Sequence, residues 1–366
     1  MTVYATRRER RPSSLPYDRA RRVGSADADR RDERFGGDGD ENRGHEIGHT
    51  LSMLPPPPPD NRPFDVVGIG ATSVDFVYQL PAYPAPTASL AKMRISHHFI
   101  SCGGQVATAL ATCARLGLRA KFIGVTGTDD NAKRVRRDLE ERGIDLGDVV
   151  IRDVSNQYAV ILVDEHSGER IVLWDRDDRL KLRERELPPD LASTARVVHV
   201  DDVDVHAAIR AAAIARAGGA VVTSDIDRLD DRTMELVQAV TFPMFAEHVP
   251  TALTGIADPA GALRALRRVH PGLLVVTLGV RGAMALEGDR LHHMPAFSVE
   301  AVDTTGAGDV FRGSFIFAYL NGWPIEQTLR FANAAAAVSC TRLGAIASVP
   351  SLEEAERLIA EATAAR

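Results

Sequence analysis

From Phe64 onward, short apolar runs alternate with amphipathic ones, and that alternation limits the available folds more than any other feature of the chain. "FDVVGIGA" reads as a buried strand that ends in glycines. "QVATALATCARLG" then sets Val106, Leu110, Cys113 and Leu116 on one helical face, with Gly117 placed to stop the helix. "AKFIGVTG" is the next strand, and "DDNAKRVRRDLEERG" the next helix, carrying an Asp138/Arg142 pair one turn apart. Consecutive strands joined by helices pair in parallel, and the helices cover both sheet faces, so the expected fold class is three-layer α/β/α with a mostly parallel central sheet. One region breaks the rhythm. "YAVILVD" and "ERIVLWD" flank the turn "EHSG" with no helix between them. Together with "FVYQLPAYPAP" and "LAKMRISHHFI" they predict a small β-sheet set aside from the main layer.

The first sixty residues have a different composition. They are dense in arginine, acids, glycine and proline, with few large apolar residues, and end in Pro55 to Pro59. Too little apolar surface is available there to offset the entropy of ordering, so a disordered tail over 1–62 and a domain over 63–366 are expected. The set-aside sheet is expected at about 76–100 and 156–175. The arginine pairs lack the apolar stretch that an export signal needs. The 366-residue chain has 45% hydrophobic residues, no apolar run near 18 residues, a net charge of -6 and a pI of about 6.0. Nucleic acid and membrane are therefore not expected as partners. Three scattered cysteines, Cys102, Cys113 and Cys340, suit reduced thiols in a cytoplasmic core rather than a disulfide framework or zinc site.

The chemistry concentrates in "DTTGAGDVFRGSF", residues 303–315. At a strand-to-helix junction, the first amides of the helix have no partner within it and carry partial positive charge. Gly306, Ala307 and Gly308 keep side chains out of the way, which makes the turn an anion cradle. An acid at its end, Asp309, repels an anion. It is useful as a base that takes the proton from a hydroxyl about to attack a phosphoryl group.

The seven positions 303–309 resemble a signature of the PfkB family of carbohydrate kinases, and "GGQVATALATCARLG" resembles the family's other signature. "GIGATSVDFV", "VVTLGVRGAMAL" and "ANAAAAVSCTRLGAIASVP" follow in family order, covering about residues 64–360. The resemblance implies a ribokinase-like fold with a β-sheet lid and an ATP-dependent phosphotransferase acting on a hydroxyl of a sugar or sugar derivative. It implies Asp309 as catalytic base and the 306–309 amides as anion hole. Asp75, Gly103, Gly104 and Thr108 match the substrate side, and Thr277, Gly279, Gly282, Asn333 and Gly344 the nucleotide side. Asp303 and Ser348 match a region that holds a monovalent cation, K+, in many members. Two departures stand out. Thr108 replaces the usual asparagine, and Ala246 and Val249 replace an asparagine and a glutamate that organise Mg2+, leaving Glu247 nearby as its outer-shell acid.

Three weaker signals remain. In "WDRDDRL", residues 174–180, interleaved arginines favour a solvated turn over a metal cluster, while Arg176 or Arg170 could reach an anionic group on the substrate. His199, Asp201 and Asp202 end a predicted strand and either line the cleft or pack. The lid's free edge suggests a two-fold homodimer through the lids. Two alternatives compete with the sugar kinase: a nucleoside kinase of the same fold, and a catalytically silent regulator that binds a sugar or nucleotide.

Overall fold

The computed structural model of the chain describes residues 54–86, 91–166, 168 and 170–364. The first strand, β1 (Phe64–Ile69), leads through a short turn into β2 (Ser73–Leu80), which pairs antiparallel with β3 (His97–Gly103). Then follow α1 (Gln105–Arg115), β4 (Ala120–Ile123), β5 (Val125–Thr126), α2 (Asp130–Glu141) and β6 (Val150–Ile151). The hairpin β7 (Tyr158–Asp164) and β8 (Arg170–Asp175) comes next, then α3 (Leu191–Thr194), β9 (Ala195–Asp201), α4 (Val205–Ala217) and β10 (Val221–Asp225). The chain continues through α5 (Thr233–Ala239), β11 (Met244–Phe245), α6 (His248–Thr254), α7 (Pro259–Leu266) and β12 (Leu274–Thr277). It ends with β13 (Ala283–Glu287), β14 (Arg290–Met294), α8 (Ala307–Leu320), α9 (Ile325–Cys340) and α10 (Leu352–Ala364).

β1 lies between β4 and β9, with β10 beyond β9, all parallel. β11 and β12 are parallel, and β13 and β14 complete an antiparallel meander. Bridges from Thr223 to Phe242 and from Ile226 to Phe245 join the two sets into one sheet of order β14-β13-β12-β11-β10-β9-β1-β4. Alternation along each strand sends side chains to two separate cores. Val66, Val197 and Val275 pack with Leu110 of α1, Phe315 of α8 and Leu329 of α9. Val67, Val198 and Val276 pack with Ala211 of α4, Leu236 of α5 and Leu263 of α7. The three layers read from the sequence are present.

The lid is a four-stranded sheet of order β3-β2-β7-β8, its inner face built on Val77, Ala159, Ile161 and Val163. Its outer strand β8 is exposed at every position. Among the described residues no helix is long and apolar enough to cross a membrane.

Most of the expected tail lies outside the described residues. Its last part differs from the expectation: residues 54–62 are laid along the domain rather than free of it. Tyr319 Oη donates to the carbonyl of Pro55 at 3.2 Å, and Arg196 Nε to that of Pro58 at 2.9 Å. Arg62 donates to the carbonyl of Ala195 at 2.6 Å, and Pro58 is buried. Composition alone did not anticipate this docking, because the partners are backbone carbonyls and side chains of the distant domain.

Candidate active site

The carboxyl end of β10 lies against the first turns of α8. Gly306 precedes this helix with φ 78°, ψ 0°, a left-handed geometry suited to glycine. A Cβ there would stand 2.8 Å from Ala345 Cβ and 3.3 Å from Thr108 Cγ2. Ala307 N lies 3.3 Å from the Thr304 carbonyl, a long hydrogen bond. Among the described residues, the amides of Gly308 and Asp309 make no backbone hydrogen bond to the residues before the helix. The helix itself is buried from Val310 to Leu320, so its amino end is rigidly held. Asp309 is half-buried by surface area and sits deep between elements. Burial and the charge of Asp225 hold its carboxyl well above the usual range, against the pull of Arg312.

On the lid side, Asp75 of β2 accepts from Ser73 Oγ at 2.8 Å. Burial, reinforced by the charge of Asp303, lifts its pKa to about 6. Gly103 is required beside it, since a Cβ there would come within 2.3 Å of Asp75 Oδ2. Gly104, at φ 107°, opens α1 in a conformation other residues rarely adopt. Thr108 is fully buried against the turn at Gly306, and its Oγ1 has no hydrogen-bond partner among the described residues.

On the other side of α8, a cavity of about 530 Å³ is lined by Thr277, Gly279 and Gly282 of the turn after β12, by Asn333 of α9, and by Ala307 and Gly308. The volume falls in the range of small-molecule sites, and the apolar wall suits a flat heterocycle. Gly282 has φ 88°, and a Cβ on it would strike the Met294 carbonyl at 2.0 Å. Asn333 commits its amide to the carbonyls of Met294 and Pro295, at 2.9 and 3.1 Å, so it shapes the wall of the cavity.

Several expected site residues stand elsewhere. Arg176 does not face the substrate: its guanidinium grips both oxygens of Asp204 at 3.0 and 2.8 Å and the Leu180 carbonyl at 2.9 Å. Such a buried pair is spent on holding the chain together. Gly344 does not line the nucleotide cavity. Its amide donates to Asp303 Oδ2 at 2.8 Å, and its Cα faces Ser101 and Phe99 of the lid. Glu247 is tied to Arg281 at 2.6 Å on the surface beside the cavity turn, and Val249 is packed into the core. Asp303 is buried and accepts amides from Thr305 and Gly344, while Ser348 Oγ donates to Ala345 within its own turn at 2.9 Å. Among the described residues no group of three or more His, Cys, Asp or Glu side chains is set to hold a metal ion.

His199, Asp201 and Asp202 are packed rather than lining the cleft. His199 pairs with Thr223 Oγ1 at 2.9 Å. Asp201 accepts from the amides of Ala71 and Val203, and Asp202 from those of Asp227 and Arg228. Asp225 and Arg312 went unnoticed in the sequence. Arg312 Nη2 lies 2.7 Å from Asp225 Oδ1, and the side chains are 3% and 2% exposed. The available signal was an arginine inside the otherwise apolar "VFRGSFIFAYL", since a buried cation demands a buried anion. Two side-chain contacts also tie the hairpin end of the lid to the domain. Arg170 of β8 donates to Thr304 Oγ1 in the anion turn, and Arg228 lies over the ring of Trp174 at 4.9 Å.

Residues 64–352 match the sequence profile of the pfkB family of carbohydrate kinases. A nucleoside kinase of Methanothermobacter thermautotrophicus is 29% identical over 300 residues, covering 80% of this chain and 94% of the relative. A ribokinase of Haemophilus influenzae is 28% identical over 297 residues, covering 78% and 95%. Among solved structures, a candidate ribokinase of Agrobacterium tumefaciens superposes with a TM-score of 0.77 at 29% identity, covering 82% of this chain and 98% of that one. A candidate ribokinase from E. coli in complex with ATP and Mg2+ superposes with a TM-score of 0.68 at 21% identity, covering 81% and 99%. With residues 64–352 matched, most of its length, the chain belongs to the pfkB family of carbohydrate kinases.

Proposed function

We propose that this protein transfers the γ-phosphoryl group of ATP to a hydroxyl of a sugar or sugar derivative, with Asp309 as general base. The observation that supports this reading is the place of Asp309 in the first turn of a rigid buried helix, where the preceding Ala307 and Gly308 line the 530 Å³ cavity and the turn at Gly306 packs on Thr108. ATP enters the cavity with its phosphates toward Ala307 and Gly308, whose amides offset charge that develops in transfer. The acceptor lies under the lid, where Asp75 orients a hydroxyl. Asp309 takes the proton as the new O–P bond forms. Mg2+ supplies charge neutralisation on the phosphates and, keeping several waters, needs few protein oxygens, which fits a chain with Ala246 and Val249 at the departed positions.

A ribose-bearing nucleoside is the second acceptor class, favoured by the identity to the Methanothermobacter nucleoside kinase. K+ is proposed beside Asp303, whose buried carboxylate keeps lone pairs beyond the two amides it accepts. A homodimer is proposed through β8, where Ile171, Val172, Leu173 and Trp174 form an exposed apolar row. A monomeric mass in light scattering would refute that assembly. The central test is ADP release across sugars, sugar phosphates and nucleosides, repeated with Asp309→Asn and with K+ replaced by choline. Turnover on one acceptor class, reduced by roughly 10²-fold or more in Asp309→Asn, is expected. Equal background in both proteins on every acceptor would refute the kinase reading.

A further inference from the structure

We propose that Arg312 is a positioning residue that favours the ionised form of Asp309 by compensating the neighbouring carboxylates of Asp309 and Asp225. The proposal rests on the reading of Asp309 as general base. Its own basis is geometric. Arg312 lies three residues after Asp309, one turn along the same face of α8, and its side chain leans toward the amino end of the helix. Nη1 stands 2.7 Å from where a Cβ on Gly308 would be, so the guanidinium fills the space that this glycine leaves open. Nη2 is 2.7 Å from Asp225 Oδ1, and Nε has no hydrogen-bond partner among the described residues. Asp225, the last residue of β10, lies close enough to Asp309 for the charge of each to bear on the other.

The charged groups facing Asp309 are Asp225 and Asp227 from β10 and its exit, and Arg312 from its own helix. His199 of β9 adds no charge, because burial and the neighbouring Arg312 push its pKa down to about 3. Two neighbouring carboxylates in a poorly hydrated site hold one proton between them near neutral pH unless a cation compensates them. Arg312 is that cation. Its charge pulls against burial and Asp225, so Asp309 gives up its proton at a lower pH than it would without Arg312, and in that ionised form the trio carries one net negative charge. When the acceptor O–H bond breaks, its proton passes to Asp309 and the trio becomes neutral. The alcohol oxygen forms the new bond to phosphorus, and the bond to the ADP oxygen breaks. Without Arg312, the pair retains a proton near neutral pH and Asp309 has no room for another.

The experiment is a pH profile of kcat/KM for Arg312→Gln, Arg312→Lys and Asp225→Asn/Arg312→Gln. ADP affinity and the thermal melt of each are followed in parallel. Loss of an adjacent opposite charge raises a carboxyl pKa by about 1 to 3, so the acid limb of Arg312→Gln is expected to move up by that much. At pH values below the wild-type limb this corresponds to a loss of roughly 10- to 1,000-fold, recovered at alkaline pH. Arg312→Lys should hold the limb near the wild-type position, and the double variant should bring it back, because the repelling carboxylate has gone with the cation. An unmoved limb in Arg312→Gln, or a double variant shifted as far as the single one, would overturn the proposal. The proposed function fails separately, only if Asp309→Asn retains turnover.

Discussion

Gly306→Ala isolates what the anion turn costs to build. Two terms act on it. The residue sits at φ 78°, and forcing a side chain into left-handed backbone costs about 1 to 2 kcal/mol. The new Cβ would also stand 2.8 Å from Ala345 Cβ and 3.0 Å from its Cα, so backbone must move, at a further ~1 to 3 kcal/mol. The sum, about 2 to 5 kcal/mol, corresponds to a melting point lower by roughly 4 to 10 °C at about 2 °C per kcal/mol for a domain this large. Gly322→Ala is the control. Gly322 has φ 71° but nothing within 4 Å of a hypothetical Cβ, so it carries the conformational term alone. Crowding at Gly306 also shifts Gly308 and Asp309, and a misplacement near 1 Å costs about 10²-fold in rate. Calorimetry and ADP-release kinetics on the two variants separate these effects. Equal melting points with unchanged kcat/KM in Gly306→Ala would refute the argument that this turn is sterically defined by Ala345.

Arg176→Met should lower stability by about 3 to 5 kcal/mol, because it leaves Asp204 buried without its cation, while KM for the acceptor stays put. A denaturant melt and acceptor kinetics check both halves. Asp201 provides a pH prediction. Burial, with the charges of Asp202 and Asp204, raises its pKa from 3.8 to about 8. A carboxyl raised on folding contributes stability that is fully present below about pH 4 and is lost as pH rises through 8, on the order of 5 kcal/mol in total. Asp201→Asn should therefore flatten the fall in melting temperature between pH 4 and 9. Identical slopes in wild type and variant would remove Asp201 as the cause.

Much of this protein follows from short-range signals. Strand period and helix period are properties of consecutive residues, so "FDVVGIGA" and "QVATALATCARLG" announced β1 and α1, and the two-sided burial of Val66 and Val67 follows from the same alternation. The turn at 303–309 was equally readable, because glycine freedom and unpaired helix amides are local physics. Pairings across the chain were not. Arg176 looked free for a substrate until Asp204 closed on it, 28 residues away, and Arg312 found Asp225 on a strand 87 residues earlier, counted as 312 minus 225. Asn333 turned its amide to Met294 and Pro295, and the carbonyls of Pro55 and Pro58 found donors in Tyr319 and Arg196 of the domain. A charged or amide side chain carries no sequence mark of which distant group will reach it. Only the packing of sheet, helices and lid brings those groups within hydrogen-bonding range, and burial then sets how strongly each pair matters.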